Sequence, residues 1–88
     1  MIKTHEINLT SGEFAQLMST SYKILEQKEE NNYEQNDYIL FREVSDDEVL
    51  RSQLTQVKEI INDAGIKDGY ILTVLDQFVL LHCHFLFS

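Results

Sequence analysis

The chain has 88 residues, a length at which one hydrophobic core is just sufficient for an independent fold, so we expect a single domain spanning residues 1–88. Hydrophobic residues make up 43% and charged residues 25%, which excludes a disordered or fibrous chain. The formal net charge of -8 disfavours binding to nucleic acids or anionic lipids through bulk electrostatic attraction.

Cysteine usage and hydropathy predict the compartment. Cys83 is the single cysteine, so no intramolecular disulfide can form, and a cytoplasmic location is expected. The N-terminus has no apolar stretch of signal-peptide length. The longest apolar-rich run, residues 78–87, is too short to cross a bilayer as a helix, so no membrane span is expected.

The start of the chain predicts a strand followed by a helix. Residues 2–9 alternate apolar and polar side chains, which is the pattern of a half-buried strand. Thr10 is a typical N-cap residue, and Glu13 three positions later completes a capping-box pattern ahead of apolar residues at helical spacing. We expect the helix to cover residues 11–19.

The rest of the chain predicts strands separated by polar turns, among them an acidic turn over residues 45–48 and a longer surface loop over residues 27–35. The segment 49–62 fits a helix and a strand equally well by periodicity. Asp76 and Gln77 predict a tight turn between the last two strands. Outside the ambiguous segment, the strands that we expect after the helix cover residues 22–25, 38–43, 70–75 and 78–87.

Several stretches together resemble one known group, and they are residues 4–7, the helix with Phe14 and Leu17, residues 36–43 and residues 65–72. The sequence resembles the ASCH group (activating signal cointegrator homology), in particular a bacterial and phage family of unknown function with a PUA-like β-pseudobarrel. The match spans about residues 3–75 and leaves 76–88 as a C-terminal apolar strand beyond it. The resemblance implies an α+β pseudobarrel of about six strands with one short helix after the first strand, and it favours a strand over residues 54–61.

The functional signature of that group is incomplete in this chain. The group is predicted to bind RNA, and small relatives hydrolyse N4-acylated cytidines with a lysine, a threonine and a glutamate in a cleft beside the helix. Its signature after the helix is Gly-x-Lys-x-x-Glu-x-Arg, where this chain has Thr20, Leu25 and Gln27 at the glycine, glutamate and arginine positions. Leucine cannot act as a base, and a neutral amide is a weaker partner for anions than a guanidinium.

The resemblance therefore implies a binding module for RNA or a nucleotide-like ligand, rather than an enzyme, and no cofactor is expected. The candidate ligand-binding residues are Ser21, Lys23, Gln27, Lys28, Arg42 and Lys67. One alternative is a small amidohydrolase of acylated cytidine, for which the candidate catalytic residues are Ser21, Lys23 and Glu26.

The C-terminal run raises two further hypotheses. His82, Cys83 and His84 are all competent metal ligands, but alternation along a strand places Cys83 on the opposite face from the two histidines. No metal site is expected, and His82 and His84 are the two residues that a metal would use. The apolar strand that carries them could also pair with a second copy as a homodimer interface, or pack inside the barrel.

His5 lies on the apolar face of the first predicted strand, beside Ile7 and Leu9. Histidines in such positions are usually hydrogen-bonded within the core, so we expect this role rather than that of a catalytic base.

Overall fold

The computed structural model describes residues 1–27, 32–62 and 65–82. In chain order, the elements are β1 (Thr4–Leu9), α1 (Ser11–Ser19), β2 (Tyr22–Glu26), β3 (Tyr38–Ser45), β4 (Glu48–Ile61) and β5 (Tyr70–His82). The fold is an α+β domain with one short helix after the first strand, as the sequence predicts.

The five strands form one curled sheet in the spatial order β1-β3-β4-β5-β2, which makes a half-barrel. β1 and β3 are parallel, and the other three pairs are antiparallel. A parallel pair needs a long crossover connection, and α1 together with β2 lies within that connection. The two strands at the edges of the sheet are β1 and β2.

The predicted turn at Asp76 and Gln77 is wrong, because β5 runs through both residues without interruption. Asp76 pairs with Gln56 and Gln77 pairs with Thr55, and the register then skips one residue of β5 at a bulge. β4 is 14 residues long and supplies partners for β5 from Leu72 to His82, and this pairing overrides the local turn signal. The strands predicted over residues 70–75 and 78–87 are therefore one strand, β5, and the described residues contain five strands instead of six. Residues 83–88 lie outside the described part of the chain.

The connection between β3 and β4 is a tight turn, as the acidic sequence predicts. Asp46 and Asp47 have φ angles of 51° and 65°, so both central residues are in the left-handed region. This is the pattern of a type I′ hairpin turn, whose twist matches that of the flanking strands. Aspartate tolerates positive φ better than most residues other than glycine and asparagine.

The helix begins where the capping box places it. The Glu13 N–H donates to the Thr10 hydroxyl at 3.2 Å, and the Thr10 N–H donates to the Glu13 carboxylate at 2.9 Å. The hydrogen bonds with the main chain and side chain of Thr10 lower the pKa of Glu13. These reciprocal bonds satisfy main-chain donors that a helix N-terminus leaves without partners.

The core lies between α1 and the inner face of the curled sheet. The helix contributes Phe14 and Leu17, which are fully buried against the strands. Two buried threonines hold neighbouring strands: the Thr55 hydroxyl donates to the Ile39 carbonyl and the Thr73 hydroxyl to the Lys23 carbonyl, both at 2.8 Å. The buried hydrophobic residues are Leu9, Phe14, Leu17, Leu25, Tyr33, Ile39, Phe41, Val57, Ile71 and Leu75.

Candidate functional site

A pocket of about 360 Å³ lies between the C-terminal end of α1 and the edge strand β2. This volume is at the lower end of the range for small-molecule sites. The residues that line the pocket are Gln16, Leu17, Ser19, Thr20, Tyr22, Lys23, Ile24 and Leu72. The cleft beside the helix, where the resemblance to the ASCH group implies a ligand, thus coincides with a concave surface.

Gln77 of β5 fixes the helix end that forms one wall of this pocket. Its side-chain amide donates to the Leu17 carbonyl at 2.9 Å and to the Thr20 carbonyl at 2.7 Å. The Thr20 hydroxyl bridges the Gln16 and Tyr22 carbonyls, both at 3.1 Å. Carbonyls at a helix C-terminus lack partners within the helix, so these bonds anchor α1 to the sheet. The sequence analysis missed Gln77 because it assigned that residue to a turn.

The other wall is β2, whose residues alternate in exposure. Tyr22 is 56% exposed and Ile24 is 57% exposed, whereas Lys23 is half-buried and Leu25 is buried. Lys23 also contributes in a minor way to the lowered pKa of Glu13, which follows chiefly from hydrogen bonds with Thr10. The pocket therefore combines one cation with an exposed aromatic ring and aliphatic side chains.

Gln27 holds a loop and is absent from the pocket lining. Its amide accepts from the Tyr33 N–H at 3.1 Å and donates to the Asn32 side chain at 2.7 Å. Its position in the signature, which the resemblance assigns to an anion-binding arginine, is therefore occupied by a residue with a structural role. Ser21 is exposed and also lies outside the lining, and its carbonyl accepts from the Leu75 N–H at 2.7 Å.

The remaining predicted ligand-binding residues do not join Lys23 at the pocket. Arg42 forms an ion pair with Glu6 on β1, near the opposite edge of the sheet. Arg42 pairs with Ser52 of β4, whereas Lys23 pairs with Thr73 of β5, which in turn pairs with Ile60 of β4. Ser52 and Ile60 are eight residues apart, which corresponds to roughly 26 Å along the strand. The Lys67 ammonium lies 5.2 Å from the centre of the Tyr70 ring. Lys28 lies outside the described residues.

The catalytic alternative gains no support from the arrangement of β2. Lys23 and Glu26 are three residues apart on a strand, so their side chains point to opposite faces. Leu25, at the signature position of the glutamate, is 7% exposed and belongs to the core. Of the three catalytic candidates, only Lys23 lines the pocket.

A second polar cluster forms around Asp37, whose side chain is only 1% exposed. Its carboxylate accepts from the main-chain N–H groups of Lys3 and Glu34 at 3.0 and 3.1 Å, and one of its oxygens lies 2.9 Å from the His5 Nε2 atom. Burial acts to raise the pKa of Asp37, but the hydrogen bonds from His5 and from the two N–H groups outweigh it and lower the pKa. Burial also raises the pKa of Tyr33, whose ring centre lies 4.6 Å from that of His5.

His5 is thus hydrogen-bonded and half-buried, as the sequence predicts. Asp37 was missed as its partner, because the two residues are 32 positions apart in sequence. The cluster joins the start of β1 to the segment that precedes β3, and we interpret its role as structural.

Among the described residues, no group of three or more histidine, cysteine, aspartate and glutamate side chains is arranged to hold a metal ion. The possible ligand His84 and its neighbour Cys83 lie outside the described part of the chain, and His82 is the last residue of β5. In the same described part, no helix is both long enough and apolar enough to cross a membrane.

No protein-family model matches this chain, and no curated protein is significantly similar to it. The similarity to the ASCH group therefore stays a prediction from the sequence.

Proposed function

We propose that the protein is a noncatalytic binding module whose pocket between α1 and β2 holds a small nucleotide-like ligand. The observation that carries the proposal is the composition of the pocket, whose lining includes the half-buried Lys23 and its exposed neighbours in sequence, Tyr22 and Ile24. A ligand with a planar ring and an anionic group complements a lining that contains a cation, an aromatic ring and aliphatic side chains.

The electrostatics of the whole chain favour a small ligand over a long RNA. Binding to an extended RNA backbone depends on several lysine and arginine contacts with successive phosphates. Here the net charge is -8, and Arg42 and Lys67 are engaged elsewhere on the sheet. One lysine in a pocket is sufficient for a single phosphate or a similar anion.

The test is a titration of the ¹⁵N-labelled protein at low salt with CMP, UMP, AMP and GMP, each added separately and followed by amide chemical shifts. We expect shifts that cluster on the pocket residues, with Lys23 and Ile24 among those that move. Lys23→Gln removes the cation and keeps a polar side chain. We expect it to weaken binding about tenfold, because a hydrogen bond to a charged group is lost.

Arg42→Gln is the matched control, since it removes the same charge far from the pocket. It should leave the affinity unchanged, and a loss equal to that of Lys23→Gln would show that bulk charge rather than the pocket binds the nucleotide. If none of the four nucleotides shifts any pocket amide, the proposal is wrong. Binding of a short RNA without binding of mononucleotides would replace it with an extended RNA surface.

Incubation of excess protein with N4-acetylcytidine separates binding from catalysis. We expect no deacetylation, because Lys23 and Glu26 point to opposite faces of β2 and the position of the missing glutamate is part of the core. Release of acetate that depends on Lys23 would instead establish the amidohydrolase.

A further inference from the structure

The main chain of β2 presents hydrogen-bonding groups on the side that faces away from β5. The Leu75 N–H donates to the Ser21 carbonyl, and the Gln27 N–H donates to the Gly69 carbonyl, both at 2.7 Å. The register between these two bonds has no bulge, so every second residue from Ser21 to Gln27 bonds to β5. The N–H and C=O groups of the residues between them, Tyr22, Ile24 and Glu26, therefore point outward.

Three consecutive residues of β2 line the pocket, together with Leu72 of β5. Tyr22, Lys23 and Ile24 are consecutive, and consecutive side chains on a strand point to opposite faces. A pocket lined by all three residues therefore reaches the main chain of β2 between them.

Ile24 is the position where this edge is open. The outward carbonyl of Tyr22 already accepts the Thr20 hydroxyl at 3.1 Å. The part of the chain that the structure describes places no strand beside β2 on this side, so it gives the N–H and C=O of Ile24 no sheet partner. The side chain of Ile24 is 57% exposed, so solvent reaches this part of the strand.

We infer that the main-chain N–H and C=O of Ile24 form hydrogen bonds with one edge of the ligand. This inference rests on the proposed function and narrows the ligand class. One residue offers a donor and an acceptor side by side, which complements a heterocyclic base that has an acceptor next to a donor on one edge. Lys23 then contacts the anionic group, and the base contributes affinity that a sugar phosphate alone does not have.

Ile24→Pro removes the outward N–H and replaces the exposed side chain. Proline is tolerated on an edge strand when its missing N–H faces away from the sheet, and the pairing with β5 uses Lys23 and Leu25 instead. Ile24→Ala is the matched control, because it shortens the same side chain and keeps the N–H.

We expect Ile24→Pro to bind the tightest-binding mononucleotide about tenfold more weakly than Ile24→Ala, which is the effect of one lost hydrogen bond to a polar ligand. Both variants should bind ribose 5-phosphate equally, and more weakly than wild type binds the nucleotide. Equal nucleotide affinities in two folded variants would overturn the inference, as would ribose 5-phosphate binding to wild type as tightly as the nucleotide.

Hydrogen exchange of the wild-type amides decides the matter if Ile24→Pro fails to fold. Saturation with the nucleotide should slow exchange of the Ile24 amide, whereas the Leu25 amide, already bonded to β5, should change little. Shifts at Lys23 with unchanged exchange at Ile24 would overturn this inference and leave the proposed function standing. The absence of any nucleotide-induced shift would overturn the proposed function itself.

Discussion

Replacing Asp37 should destabilise the protein strongly, although the residue lies in a connection between strands. The carboxylate accepts three hydrogen bonds and its side chain is 1% exposed. A hydrogen bond to a charged group contributes about 1.5–3 kcal/mol, and a donor left without a partner costs less where water can replace the lost acceptor. Lys3 and Glu34 are exposed residues whereas His5 is half-buried, so we expect Asp37→Ala to cost about 3 kcal/mol in the free energy of unfolding.

The loss of stability on replacing Asp37 should also depend on pH, and the lowered pKa of Asp37 gives the direction. The pKa of Asp37 is lower in the folded protein than its ordinary value, so ionisation of this group favours the folded state. Its contribution is fully present above the unfolded-state pKa of about 4 and is lost as the pH falls through the lower folded-state pKa. The stability difference between wild type and Asp37→Asn should therefore be largest near neutral pH and shrink below about pH 4.

Urea unfolding followed by far-ultraviolet circular dichroism measures both effects, at pH 7 and in steps down to pH 3. Asp68→Asn is the control, because it removes the same charge from an exposed loop residue, and it should change the stability by less than about 0.5 kcal/mol. The reasoning would be refuted if Asp37→Ala were as stable as this control. A difference between wild type and Asp37→Asn that stayed constant from pH 7 to pH 3 would refute the electrostatic part alone.

Two further changes test how the fold is held together. Asp46→Asn combined with Asp47→Gly should stabilise the protein by about 1 kcal/mol, because Asn-Gly suits a turn with two positive φ angles, and Asp46→Val should destabilise it. Thermal unfolding of the variants checks this, and a stable Asp46→Val protein would contradict the turn assignment. Gln77→Ala should cost about 2 kcal/mol, since the amide donates to two carbonyls at the end of α1. Gln35→Ala, which removes an exposed side chain with one bond to a carbonyl, should cost less than about 0.5 kcal/mol, and equal losses in urea unfolding would argue against Gln77 as an anchor.

Local signals in the sequence were sufficient for the elements whose hydrogen bonds are local. The capping box at Thr10 and Glu13 gives the observed start of α1, and the acidic turn after β3 lies where its residues predict it. Both features depend on residues within four positions of one another, so the sequence alone specifies them. The alternation of apolar residues likewise placed His5 on the inner face of β1.

The candidate site was predicted only in part. A pocket with Lys23 in its lining lies beside the helix, and the role of that residue in binding stays a prediction. The roles of Gln27 and Arg42 could not be predicted, because both bind partners that the chain brings close only after folding: the segment before β3 for Gln27, and Glu6 on β1 for Arg42.

The sequence by itself determined one short helix, an acidic surface and a chain that alternates as strands do. Tertiary structure decided the features that depend on pairing between distant segments: that β5 continues through Asp76 and Gln77, that Asp37 meets His5, and that β2 is an edge strand of the sheet that the described residues form. The physical reason is that a strand acquires its partners from elsewhere in the chain. A turn signal such as that at Asp76 is therefore overruled when a long neighbouring strand offers continuous hydrogen bonding.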